Sequence, residues 1–273
     1  MSQPALVTVI ERACRKAAVR LRRDFGEVSQ LQVSRKGPAD FVSAADRATE
    51  ALLVDELSRA RPGWGFLREE GDAITGAPGA PRFIVDPLDG TTNFLHGIPH
   101  FAISVAVEKA GELVVGVVYQ PLTDETFWAE RGRGAWLHNA RLRVSGRRDL
   151  AECLVATGIP YRGHGDRARF EAILHRVMPE VAGIRRFGAA SLDLAWVAAG
   201  RFDAFWEEGL KPWDVAAGIL LVQEAGGFVT DFRGQDRMIE RAEILAGAPE
   251  PHNRLHRLIA EALRARPPAE CPP

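Results

Sequence analysis

Apolar positions recur with a helical period at the start of the chain. Leu6, Ile10, Ala13, Ala17, Leu21 and Phe25 fall on one face, which predicts an amphipathic helix over residues 5–27. A second helix is predicted over 43–60, with Ser43 and Asp46 as a start resembling a capping box and Arg61-Pro62-Gly63 as its stop. Phe83 to Val85 reads as a short buried strand. From Ala102 to Val144 the period shortens to two. ISVAV, ELVVGVVYQ and ETFWAE are rich in branched and aromatic residues, with glycine and turn residues between them, and predict consecutive antiparallel strands. Beyond about residue 150 short strands alternate with helices. LVATG, FDAFWE, FVTDF and ILAGA read as strands, and 166–178, 189–200, 213–225 and 252–265 as helices, the third ended by Gly226-Gly227. The pattern predicts an N-terminal α+β domain with an antiparallel sheet over 1–147 and a C-terminal α/β domain over 148–273, joined near SGRRDLAE.

Composition narrows the class. The 273 residues suffice for a sizeable core, and a net charge of −1 provides no global field to draw in nucleic acid or an acidic membrane. Three dispersed cysteines, Cys14, Cys153 and Cys271, have neither metal-ligand nor disulfide-framework spacing, and they suit a reducing cytoplasm. The longest run without Asp, Glu, Lys or Arg, Gly90 to Val107, carries Asn93, His96 and His100, so no membrane span is expected.

The chemistry concentrates in FIVDPLDGTTNF, Phe83 to Phe94. Pro87 fixes the backbone after the strand and Gly90 permits a sharp bend, so Asp86 and Asp89 can converge from a turn. Unpaired carboxylates held together repel, and one would take up a proton unless a divalent cation such as Mg2+ sat between them. The plainer alternative is that both aspartates make turn and cap bonds. Gly90-Thr91-Thr92-Asn93 could open a helix whose free N–H groups form an anion site. Glu69-Glu70 is a second acidic pair, readable alone as a solvated charge pair. Asp214 stands in the first turn of a strongly apolar helix, where helix-dipole placement and a cation partner both remain open. His96 and His100, just beyond the main motif, are weaker candidates for catalytic acids. Arg185-Arg186 could face phosphate but reads rather as surface or interface pairing, and the tryptophans as core or subunit interface.

Taken in order, DPLDGTTNF at 86–94 and WDVAAGILLVQEAGG at 213–227, supported by KGPADFVSAAD at 36–46, EEG at 69–71, GAWLHN at 134–139 and GRFDAFWE at 200–207, resemble the inositol monophosphatase family of Mg2+-dependent, lithium-sensitive phosphatases related to fructose-1,6-bisphosphatase. The resemblance covers about residues 5–265. It implies the layered αβαβα sandwich of that family and a homodimer, while the near-neutral charge and the absence of a long apolar run lead to the expectation of no direct nucleic-acid or membrane partner. It implies two to three Mg2+ ions: Glu69, Asp86 and the Leu88 carbonyl on the first, Asp86, Asp89 and Asp214 on the second, and Glu69 again on a weaker third. Thr91 matches the residue that orients the attacking water with Glu69, and Asp46 one behind the Thr91 hydroxyl. Lys36 matches a position near the metals. The implied substrate contacts are Asp89, Gly90, Thr91, Gly188, Ala189, Ala190, Glu207 and Asp214. The implied reaction is in-line attack of a metal-activated water on a small phosphorylated polyol, inositol 1-monophosphate first. Histidinol phosphate, fructose 1,6-bisphosphate or a 3′-phosphonucleotide are alternatives, as is a macromolecule-binding regulatory protein with residual phosphatase activity. Two departures stand out. Arg68 replaces a glycine frequent before the acidic pair, and Ala189 replaces a frequent hydroxyl residue in the ring-binding loop.

Overall fold

Residues 3–31, 38–160 and 165–265 are described by the structure, a computed structural model. Seven strands follow one another across the first sheet: β1 (Gly65–Arg68), β2 (Arg82–Asp89), β3 (Ala102–Lys109), β4 (Glu112–Gln120), β5 (Glu125–Glu130), β6 (Gly134–Leu137) and β7 (Ala140–Arg141). The second sheet has β8 (Leu154–Thr157), β9 (Gly183–Arg185), β10 (Ala204–Glu208), β11 (Phe228–Thr230) and β12 (Glu243–Gly247), in the order β11-β12-β10-β8-β9. The helices are α1 (Ala5–Leu31), α2 (Pro38–Ala60), α3 (Thr91–Leu95), α4 (Arg167–Val177), α5 (Ala190–Ala198), α6 (Pro212–Glu224), α7 (Met238–Arg241) and α8 (Pro249–Ala265).

Strand alternation sorts the side chains into three cores. Phe83, Val85, Val105 and Val117 face Ile10 and Leu21 of α1 and Leu53 and Leu57 of α2. Their neighbours Ile84, Ala106 and Val118 point the other way, onto α5 and α6, which also receive Ala156, Phe205, Ile244 and Ala246 from the second sheet. Val155, Ala204, Trp206 and Leu245 face away from that layer, onto Ile173 of α4 and Leu255 and Ile259 of α8. The result is five layers, αβαβα. The middle helices are buried on nearly every side, which is why α5 and α6 read as apolar all round while α1 and α8 read as amphipathic.

Small residues let the middle layer sit close. A Cβ on Gly116 of β4 would lie 2.7 Å from the Ala217 carbonyl of α6. That contact is backbone and cannot swing aside, so Gly116→Ala should force α6 off the sheet and cost about 1–3 kcal/mol. Chemical denaturation checks this, and an unchanged midpoint would contradict it.

Three elements depart from the reading of the sequence. The second helix begins at Pro38, so Ser43 lies inside it rather than at its start; proline suits a first helical position because its missing N–H would have no partner there. β2 continues through Asp86-Pro87-Leu88-Asp89, with a register shift between the two aspartates, so the pair sits on a bulged strand end and not in a turn. A bulge is where a strand tolerates proline. Finally, the first sheet is not wholly antiparallel, because β1 and β2 pair in parallel. Among the described residues no helix is long and apolar enough to cross a membrane.

Candidate active site

The parallel pair builds the site. Its register sets Arg68 against Val85, so the next residues, Glu69 and Asp86, leave the same end of the sheet side by side. The bulge then carries Asp89 to the mouth of the middle layer. There Asp89 Oδ2 accepts hydrogen bonds from the Ser191 N–H at 2.7 Å and the Ser191 hydroxyl at 2.5 Å, both in the first turn of α5. On β3, Ser104 pairs with Asp86 across the sheet, and its hydroxyl donates to the Trp213 carbonyl at 3.3 Å. This holds the start of α6 and, with it, Asp214, whose Oδ2 accepts the Lys211 N–H at 2.7 Å. Two helix N-termini therefore face the same acids, which is favourable for negative charge.

The acids act on one another. Asp86 is 1% exposed, and burial raises its pKa well above the usual carboxylate range, with Glu69, Asp89, Asp214 and Asp46 adding repulsion. Glu69 keeps access to solvent, yet partial burial of its carboxyl and the charges of Asp89, Glu70 and Glu50 push it up to about 7, against a lowering contact with Asp86. Burial and Asp89 push Asp214 up to about 7. Asp46 rises to about 8 through burial and the charges of Glu69, Glu70 and Glu50, and one of its oxygens is buried without a partner. Asp89 is raised by burial despite its Ser191 bonds. Arg47 eases Asp46 and Lys211 eases Asp214 without cancelling either rise; hard oxygen donors crowded together in this way suit a hard divalent ion such as Mg2+. Among the described residues no three such side chains are already drawn into a closed ligand shell. The reason is visible in the bonds: Asp86 turns an oxygen to the Leu88 N–H at 2.9 Å, and Asp89 and Asp214 turn theirs to Ser191 and Lys211.

The remaining residues expected at the site fall as follows. The Thr91 hydroxyl donates to the Leu88 carbonyl at 2.9 Å, so its proton goes there and not to Asp46. Gly90 adopts the left-handed conformation at φ 93°, and a Cβ would meet the His100 carbonyl at 2.9 Å. The first bond of α3 is Phe94 N–H to the Gly90 carbonyl, which leaves the Thr91, Thr92 and Asn93 amides ahead of the helical ladder. The Asn93 side chain donates to the His100 and Phe187 carbonyls, tying this motif to the loop that carries Gly188. Ala189 is fully buried in the middle core, so its methyl group packs against protein. Glu207 joins Glu69 and Asp214 in lining a cavity of about 470 Å³, and burial together with Asp89 and Asp214 pushes its pKa to about 8. Lys36 lies outside the described residues. His100 is buried against Phe187 and Trp196 and pushed down to about 4, which fits an aromatic core residue rather than a catalytic acid.

Four participants were not anticipated in the sequence. Ser191 holds Asp89 through both its N–H and its hydroxyl. Asp193, 1% exposed, has both carboxyl oxygens unpartnered; burial and the charges of Glu207 and Asp89 raise its pKa well above the usual range. Arg186, read as a surface pair, is near enough to Asp193 and Glu207 to oppose both shifts. Gly158 makes room for Glu207, since a Cβ there would overlap the Glu207 carboxylate.

The chain as a whole is similar to known proteins. The model of the inositol monophosphatase family matches residues 3–267. A Rhizobium meliloti protein named inositol-1-monophosphatase is 55% identical over 97% of this chain and 96% of its own. A Pseudomonas aeruginosa protein named Nus factor SuhB is 46% identical over 90% of this chain and 92% of its own. The native crystal structure of extragenic suppressor protein suhB from Bartonella henselae superposes with a TM-score of 0.88 at 54% identity, covering 94% of this chain and 98% of that one.

Proposed function

The chain belongs to the inositol monophosphatase family, and on that premise we propose that it is a Mg2+-dependent phosphatase of small phosphorylated polyols, with inositol 1-monophosphate as the first substrate. The observation that carries this reading is the convergence of Glu69, just past β1, Asp86 and Asp89 on β2, and Asp214 on α6, all with raised pKa values.

In this reading the carboxylates of Glu69, Asp86, Asp89 and Asp214 and the Leu88 carbonyl would hold Mg2+, which when bound would supply Lewis acidity and water activation near neutral pH. Asp89 is aimed by Ser191. Glu69 and Thr91 orient the attacking water. The amides at the start of α3 receive phosphate charge. Glu207, on the far wall, accepts a hydrogen bond from a hydroxyl of the alcohol. Most of the rate then comes from placement and charge complementarity.

A phosphate-release panel with millimolar Mg2+ tests this, comparing inositol 1-monophosphate with histidinol phosphate, fructose 1,6-bisphosphate and a 3′-phosphonucleotide. The expected result is fastest turnover of the inositol ester. Gly158→Ala should displace the Glu207 carboxylate and raise KM for that ester about tenfold, the effect of losing one polar contact. A second reading, a macromolecule-binding regulatory protein, draws on relatives named Nus factor. The Nus factor relatives from Pseudomonas aeruginosa and Escherichia coli are 46% and 42% identical to this chain. No phosphate release from any ester in the panel would favour it.

A further inference from the structure

Arg68, the last residue of β1, is bonded in two directions. Its Nη1 lies 3.1 Å from Glu50 Oε1, and its Nε donates to the Asp72 carbonyl at 2.7 Å. The guanidinium lies so close over Gly71 that a Cβ there would sit 2.5 Å from the Arg68 Cζ. The second oxygen of Glu50 accepts the Glu70 N–H at 2.8 Å. Glu50 is 3% exposed and sits one helical turn after Asp46 on α2. The irregular segment from Arg68 to Asp72 is thus fastened at both ends and in its middle, and Glu69 is the residue it presents.

We propose that Arg68 and Glu50 form a positioning clamp that fixes the direction of the Glu69 carboxylate beside Asp86 and thereby sets the affinity of the site for a divalent cation. The inference rests on the reading above in which Glu69 holds the metal. Two physical points support a role beyond holding the fold. Glu50 is a buried carboxylate close to Asp46 and Glu69, so without Arg68 it would be repelled from the place where it meets the Glu70 amide. Glu69 follows β1 with no ladder partner of its own, so its backbone direction depends on the bonds made by the residues on either side of it. Groups that orient a metal ligand without touching the metal commonly change affinity by one to two orders of magnitude.

The test uses Mn2+ alone, titrated into the full chain without substrate and followed by the electron paramagnetic resonance signal of the free ion. Melting in EDTA and the Mg2+ dependence of turnover are measured beside it. Arg68→Ala is expected to weaken Mn2+ binding about 10–100-fold and to raise the Mg2+ concentration needed for half-maximal rate, while kcat at saturating Mg2+ changes far less. Glu50→Gln should move in the same direction. The double variant should be no weaker than the worse single, because both act through one clamp. Arg68→Lys keeps the charge but cannot reach Glu50 and the Asp72 carbonyl as one planar fork, so it gives the same answer if the alanine variant does not fold. Wild-type Mn2+ affinity in a folded Arg68→Ala or Arg68→Lys chain would overturn the clamp and leave the metal reading intact. A wild-type chain that binds no Mn2+ would overturn both.

Discussion

Asp89→Asn is expected to lower Mg2+-dependent phosphate release by about 10³-fold, the scale of losing a charge placed on the reacting centre. The substitution is unusually clean at this position. Asp89 Oδ2 accepts both Ser191 donors, and an asparagine oxygen can accept the same two at 2.7 and 2.5 Å. The Ser191 anchor is therefore kept while the charge is lost and one acceptor oxygen becomes an NH2 group. That charge is also one that repels Asp86, Asp214, Glu69 and Glu207. The same variant should therefore melt at a higher temperature than wild type in EDTA, and Mg2+ should raise its melting point less. Loss of activity with a gain of metal-free stability separates a functional carboxylate from a structural one. Steady-state assays and thermal melts on one preparation decide it. Full activity in Asp89→Asn would remove Asp89 from the metal set.

The two halves of the site differ in how legible they were. The apolar periods located nearly every helix and the four central strands, because burial on one face writes a period into the sequence. The main motif was visible because proline, glycine and paired aspartates cluster within a few residues. What could not be read was pairing between distant segments. Nothing in WGFLREEG states that β1 lies parallel to β2, yet that register sets Glu69 beside Asp86. Ser191 and Asp89 are 102 residues apart, and Glu50 meets Arg68 across 18. Ser191 and Asp193 lie in a helix whose uniformly apolar neighbours suggest only burial. An aspartate inside such a run was itself a signal, since a buried carboxylate without a partner is costly and marks a site more often than a scaffold. Arg68 was noticed as a departure, but its task depended on α2, a neighbour that no local pattern names.

The metal-free protein should lose stability as pH rises from about 5 to about 8.5, opposite to the usual behaviour of paired carboxylates. Glu69 and Asp214 titrate at about 7 in the fold, and Asp46 and Glu207 at about 8. In an unfolded chain the same groups titrate near 4. Between those limits the native state holds more protons than the unfolded one, so the slope of stability with pH is negative. The contribution is fully present below the unfolded values and is lost as pH climbs through 7 and 8. A counter-trend operates at the acid end. Hydrogen bonds to Tyr119 and Arg15 hold Asp124 below its ordinary range and the Arg201 bond does the same for Glu125, so their stabilisation disappears as pH falls. The two slopes place the stability maximum of the metal-free chain on the acid side of neutrality. Mg2+ should reverse the alkaline loss, because it favours the deprotonated cluster and its binding releases protons. Its stabilising effect should therefore grow with pH over the range in which the metal-free protein weakens. Thermal melts in EDTA and in Mg2+ across that range measure both curves. A metal-free melting point that stays level or rises from about pH 5 to about pH 8 would show that the cluster is not compressed in the way its raised pKa values describe.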